Sequence, residues 1–290
     1  MTAEQGMDLR RPEDSADLVV VRRRPVFPWI LAGTAVALTV WFLFALATNP
    51  ALDWSETAAY LFNRQVLHGV WVTVQLSVIS AAIGIILGLV IALGRLSHNK
   101  VLRTLATGYI AVFRSVPALV QLLVWGNIGL VIRNVSLGIP FTEIGFFSMP
   151  TNELIGPFTA SILGLALSES AYMAEVIRGG VLAVDKGQLE AASALGMTHM
   201  RTTRRIVLPQ ALRVIVPPMG NQFITLIKAT SLVSVIAGGD LLTQVSNISA
   251  MSYRVVEMLG VAVFWYLVMV SIASIGQHYL ERFLAKGVRE

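Results

Sequence analysis

The chain contains no cysteine, which excludes disulfide frameworks, thiolate zinc sites and cysteine nucleophiles from composition alone. Charge is also scarce: Asp, Glu, Lys and Arg make up 13% of the 290 residues, against about 25% in a soluble domain. The four histidines, His68, His98, His199 and His278, are scattered with no helical pair at metal-binding spacing, so neither a metal site nor a His-based triad is expected. The G-x-x-x-x-G-K-[ST] phosphate loop is missing, so no P-loop ATP site is expected in this chain. Repeats and low-complexity segments are missing too.

Apolar sequence takes the place of all these. Hydrophobic residues are 55% of the chain, and six runs reach the length of about 18 residues needed to cross hydrocarbon as helices. They lie near 29–48, 69–94, 105–132, 154–177, 210–236 and 257–277. The expected fold is therefore an all-α integral membrane protein with about six transmembrane helices. Basic residues set its orientation. With the N-terminus in the cytoplasm, the outer loops hold only Arg64, Arg133 and Arg254, Lys228 lies within a span, and the other 18 Lys and Arg residues fall in inner segments. That bias places both termini on the cytoplasmic side. The net charge of +5 is then topological and does not imply a nucleic-acid partner.

Composition divides the chain further. Residues 1–27 form a polar cytoplasmic tail expected to be disordered, and 28–48 an accessory span. Arg22-Arg23-Arg24 and Ala45-Leu46-Ala47 around that span imitate a cleaved secretory signal. The apolar run exceeds the roughly 7–15 residues of a signal core, so a retained helix is expected. In the outer segment 49–68, Trp54, Tyr60 and Phe62 mix with Asp53 and Glu56, as in an amphipathic helix at a membrane interface. Between Asn134 and Asn152, Gly138, Pro140, Gly145 and Pro150 break regular structure, leaving either a docking surface or a connector. Residues 283–290 form a short cytoplasmic tail.

The polar stretch 185–209 stands between two apolar spans. Asp185 can cap a short helix from Lys186 to Leu195, with Gln188 reaching back to the cap. Gly196 then closes that helix, and Thr198 caps a second that Pro209 stops or redirects. Ala191, Ala192 and Ala194 keep the first helix lean, Glu190 adds a charge, and Leu189 and Leu195 offer an apolar grip, so it suits docking into a groove. Arg201, Arg204 and Arg205 also suit anionic headgroups.

Within the spans, Glu169 and Lys228 are the deepest charges and need partners or a purpose. Pro217-Pro218 and Gly220 are expected to interrupt the fifth span ahead of Lys228. One reading has Glu169 meeting the ammonium of an amino acid while Lys228, Thr230 and Ser231 receive its carboxylate; the other pairs Glu169 and Lys228 with each other or with neighbouring helices, without touching substrate. Ser168, Tyr172, Glu175 and Gly179 share a stripe that makes Tyr172 a pathway candidate. Glu175 and Arg178 suit a local pair. Gly69, Thr73, Ser77, Ala81, Gly84, Gly88 and Ala92 make a small-residue face suited to close packing within the bundle.

The pattern Glu190-Ala191-Ala192, three residues, Gly196, nine residues, Ile206, one residue, Leu208-Pro209 resembles the cytoplasmic coupling loop of membrane subunits of bacterial ABC importers. Residues Ala171 to Gly180, Lys186-Gly187-Gln188, Pro209-Gln210-Ala211 and Lys228 to Leu232 resemble the polar amino-acid branch, of the histidine, glutamine and arginine type. Phe113 to Gln121 resembles that branch's FRGTPLLVQ run, with Ser115 and Val116 where Gly and Thr are usual, and its Gln121 faces either the pathway or another helix. Ala229 replaces an Asp frequent in the branch.

The resemblance covers about 69–282. It implies a five-helix type I ABC importer permease core in the bacterial cytoplasmic membrane. Its implied partners are a second permease subunit, identical or paralogous, an extracytoplasmic substrate-binding protein, and separate ATPase subunits that carry ATP and Mg²⁺, so that this chain holds no cofactor and is not itself an enzyme. Glu190 to Gly196, with Leu189, would transmit the ATPase motion. The rival is a secondary transporter or channel driven by an ion gradient through Glu169 and Lys228.

Overall fold

A computed structural model describes residues 26–50, 52–138 and 145–285. The chain separates into two compact units, 1–52 and 53–290. The first contains α1 (Val26–Ala47), an uncharged helix whose Thr34 and Thr39 hydroxyls donate to carbonyls four residues back. Its polar groups are thus satisfied from within, as lipid requires. Residues 1–25, where the polar tail is expected, lie outside the described residues.

The second unit is a helical bundle. It begins with α2 (Trp54–Leu61), capped by Asp53, and α3 (Arg64–Leu96). Then come α4 (Lys100–Ser115), α5 (Ala118–Gly126) and a four-residue turn of helix, α6 (Ile128–Val131). Strands β1 (Asn134–Gly138) and β2 (Gly145–Pro150) lead to α7 (Thr151–Leu154) and α8 (Pro157–Leu182). After α9 (Lys186–Ala194) and α10 (His199–Thr202), a π-helical turn at Thr203–Val207 runs into α11 (Leu208–Ala229). A 3₁₀ segment, Thr230–Ile236, precedes α12 (Leu241–Ser252) and α13 (Val255–Ala285). Among the described residues five helical stretches are long and apolar enough to cross a membrane, and the bent pair of α4 and α5, taken as one span, makes a sixth.

Helices α3 and α8 form the central pair. A Cβ on Gly84 would lie 2.7 Å from Glu169 Cγ, and one on Gly88 would lie 2.6 Å from Met173 Cβ and 3.0 Å from the Ser170 carbonyl. Glycine is needed here for close approach. The small-residue face of α3 is buried over its length, so it serves packing inside the bundle. Three apolar clusters stack along α3: one around Val66, Leu241 and Met258, one around Leu76, Leu122 and Leu165, and one around Ala92, Ala174 and Ile215.

Four expectations need correction. The third apolar run is not one straight span: α4 and α5 meet at 98°, because Pro117 has no N–H and Val116 before it takes an extended conformation. The fifth span is not interrupted at Pro217-Pro218, and α11 runs through both. Neighbouring helices hold it there, with Gln277 Nε2 of α13 donating to the Pro217 carbonyl at 3.3 Å. Regular α geometry instead fails at its two ends, as the π turn and the 3₁₀ segment. Pro209 stops nothing either. The π turn places the Leu208 N–H on the Thr203 carbonyl, and Pro209 enters in the first turn of α11, where its missing donor costs least. Finally, 134–150 is not wholly irregular: Val135 pairs with Met149 and Ser136 with Ser148 in an antiparallel ribbon, while Pro140 lies outside the described residues.

The helix expected within 49–68 is present as α2. Trp265 Nε1 of α13 donates to the Leu61 carbonyl at 2.8 Å, and Arg254 pairs with Asp53 at 3.4 Å.

Candidate functional site

Two regions carry the residues singled out above. The first is the loop between α8 and α11. Asp185 Oδ1 accepts from the Gln188 N–H at 3.3 Å and starts α9; a return bond from the Gln188 side chain is not formed among the described residues. At the other end Gly196 has φ +69°, its N–H donates to the Ser193 carbonyl at 2.9 Å, and the Met197 N–H reaches the Ala192 carbonyl at 3.0 Å. This paired closure satisfies carbonyls a helix end otherwise leaves free, and the left-handed residue in it is normally glycine. Thr198 occupies the cap position of α10 but makes no side-chain cap bond.

The helix so fixed has two sides. Leu195 is 80% exposed and Leu189 38%, with Glu190, Ala191 and Gly196 exposed beside them, whereas Ala192 is 1% exposed. Ala192 is therefore covered within the chain, while Leu189 and Leu195 stand uncovered as apolar surface. Met200, 74% exposed on α10, extends that surface; the sequence reading missed it because it lies outside the patterned residues.

The second region lies within the spans. Glu169 is buried on α8 against Gly84, and its Oε2 accepts from Gln222 Nε2 of α11 at 3.0 Å while Oε1 is unpartnered. Lys228 is exposed, with no ion pair among the described residues, so Glu169 and Lys228 are not joined. Gln222 and Lys228 are six residues apart on α11, about 9 Å along its axis. Thr230 is fully buried and its hydroxyl donates to the Ile227 carbonyl at 2.6 Å. Ser231 is half-buried and bonds the Lys228 carbonyl at 2.8 Å. Of the expected cluster, then, only Lys228 and Ser231 are neighbours with solvent-reachable surface.

A polar stripe appears that the charge-based reading did not find. Val214, Pro218, Asn221, Thr225 and Lys228 are all exposed on α11; their alternating three- and four-residue spacing puts them on one face, and the last three make its C-terminal half polar. An amide and an ammonium left bare within a membrane helix face water or another protein surface, not lipid. The signal is present in the sequence as Asn221, Thr225 and Lys228, polar residues spaced four and three apart.

In the C-terminal half of α8, Tyr172 is half-buried, and the Arg114 guanidinium lies 5.2 Å over its ring. Arg178 donates twice to Glu175 Oε2, at 3.0 and 2.7 Å, which makes the expected local pair. Gln121 lies 5% exposed and bonds backbone carbonyls, so it faces neighbouring helix and not an open path. The described residues hold no cluster of three or more metal-ligating side chains.

Comparison with known proteins adds an independent line. Residues 84–286 match the family described as binding-protein-dependent transport system inner membrane component. The chain is 40% identical over 260 residues to the arginine transport system permease protein ArgU of Corynebacterium glutamicum, covering 89% of this chain and 80% of that one. It is 34% identical to the L-cystine transport system permease protein TcyB of Bacillus subtilis, over 84% of this chain and 96% of that one. Among solved structures, one described as an amino acid ABC transporter with histidines superimposes with a TM-score of 0.68 at 35% identity, covering 80% of this chain and 98% of that chain.

Proposed function

From the premise that this chain belongs to the binding-protein-dependent transport system inner membrane component family and is a permease subunit of an amino-acid ABC importer, we propose how it carries solute and takes up work. The solute path runs along the exposed stripe of α11, closed by the matching surface of a second permease subunit. Lys228, the only cation of that stripe, receives the solute carboxylate, with Ser231 beside it. Glu169 lies one helix face away behind Gln222 and offers its free oxygen to the ammonium when α11 moves. The observation that carries this reading is the bare polar stripe itself, which has no purpose against lipid.

Work enters from outside the chain, in the cytoplasm, where both termini and α9 lie. A separate ATPase subunit, which binds ATP and Mg²⁺, grips Leu189, Glu190, Ala191 and Leu195. The rigid closure at Gly196 passes its motion to α10 and, through the π turn, into α11. That continuity from contact helix to pathway helix is the mechanical part of the proposal: a displacement of α9 need cross no flexible joint before it moves Lys228. An extracytoplasmic binding protein delivers the solute.

Reconstitution tests both halves. Uptake in vesicles is expected only with the ATPase and ATP present, and crosslinks placed from Leu189 to Leu195 are expected to capture the ATPase. Lys228→Met and Glu169→Gln are each expected to raise KM about tenfold, the loss of one charge-assisted contact of roughly 1.5 kcal/mol. Uptake without nucleotide, or substrate affinity unchanged in both variants, refutes the respective half.

A further inference from the structure

We propose that Gln121 is a positioning residue that braces the elbow between α4 and α5, and that it acts on transport by holding that elbow and not by touching solute. The argument starts at the proline. In an unbroken helix the Phe113 carbonyl would accept from the N–H of residue 117, but Pro117 has none. Val116, at φ −82° and ψ 124°, leaves the helix and frees its own carbonyl. Gln121 lies four residues beyond the proline, on the first full turn of α5. Its Nε2 donates to the Phe113 carbonyl at 3.0 Å and to the Val116 carbonyl at 2.9 Å. A primary amide has two N–H donors, and both are spent on carbonyls that the break exposes.

Replacing Gln121 by an apolar side chain would therefore leave two partly buried acceptors unsatisfied at once. Its Oε1 is buried without a partner, so this site tolerates one idle acceptor to keep the two donors. The elbow fixes what lies on either side of it. Tyr109 stacks on Phe113 with centroids 4.4 Å apart and its hydroxyl lies 2.8 Å from Ser170 Oγ, which keys α4 to α8. Arg114, next to Phe113, is thereby held over Tyr172 in the C-terminal half of α8. Beyond the elbow, α5 ends at Gly126, where a Cβ would sit 2.7 Å from Ile236 of the 3₁₀ segment. One side chain thus sets the angle between Arg114 and the packing of the segment that follows Lys228.

This rests on the permease reading only for its transport readout; the elbow itself is measured directly. Because the chain has no cysteine, Leu105→Cys and Val124→Cys, both at exposed positions, give one spin-label pair across the elbow in each copy of this chain, read in complexes in which a single copy carries both cysteines. At 98° their backbones stand about 17 Å apart, whereas a straightened helix would place them about 28 Å apart at roughly 1.5 Å per residue. In the assembled transporter, Gln121→Leu is expected to broaden and lengthen this distance and to lower the maximal uptake rate at least about tenfold with KM changed less than about twofold. If Gln121→Leu does not assemble, Gln121→Glu, which when protonated keeps one of the two donors, carries the same comparison with a smaller lengthening. A variant that keeps the native separation, whether KM rises or uptake is unaltered, overturns the brace. A lengthened elbow with native transport overturns its role in transport.

Discussion

Replacing Gly88 by alanine adds one methyl group where α3 and α8 are closest. The new Cβ would lie 2.6 Å from Met173 Cβ, 3.0 Å from the Ser170 carbonyl and 3.1 Å from the Ala174 nitrogen. Carbon atoms prefer about 3.5–4.0 Å, and two of these three neighbours are backbone, so no rotamer change relieves the overlap. The helices must part by about 1 Å, at an overpacking cost of about 2–3 kcal/mol. Alanine also returns about 1 kcal/mol of helix propensity. The net expectation is a loss of about 1–2 kcal/mol, or a fall of about 2–8 °C in Tm for a bundle of this size. Gly108→Ala is the control: nothing lies within 4 Å of its Cβ, so only the propensity gain remains and Tm should rise by about 2–4 °C. Thermal unfolding of both purified variants in one detergent decides the matter. If Gly88→Ala is as stable as Gly108→Ala, the close α3–α8 contact is not what holds the bundle.

Further outcomes follow from the same geometry. Leu195→Asp should leave the Tm of the isolated permease unchanged, because the side chain is bare, yet weaken ATPase binding at least about tenfold through the lost burial of about 1.5–3 kcal/mol; unchanged ATPase pull-down would refute a grip there. Gly196→Val forces a β-branched residue to φ +69° at a local cost above about 1 kcal/mol, and should loosen the coupling of ATP hydrolysis to uptake while assembly persists; an unaltered ratio of ATP hydrolysed to solute carried counts against a rigid closure. Asp53 is held below the usual carboxylate range first by the Ser55 hydroxyl, then by the Glu56 N–H, with Arg254 assisting. A depressed acid stabilises while ionised, so the α2 cap should be at full strength above about pH 4 and be lost as pH falls below that. The protection of the α2 amides, taken as exchange relative to the intrinsic rate at each pH, should fall on acidification in the wild type and lose that dependence in Asp53→Asn.

The chain's own order of residues determined its class, its number of spans and the shape of the loop between α8 and α11. Those features are local: run length decides whether a helix can cross lipid, and an Asp185 cap with a Gly196 closure needs only neighbours in sequence. Tertiary structure decided which candidates meet. Glu169 and Lys228 looked like one site by depth alone, but depth says nothing of azimuth, and Glu169 turns to Gln222 while Lys228 turns outward on α11. The prolines misled in the same way. At Pro117 the helix breaks and Gln121 takes up the freed carbonyls, whereas α11 continues through Pro217 and Pro218, with the Pro217 carbonyl accepting from Gln277 of α13. A proline states which donor is missing; only the surrounding packing determines where the freed carbonyl finds another.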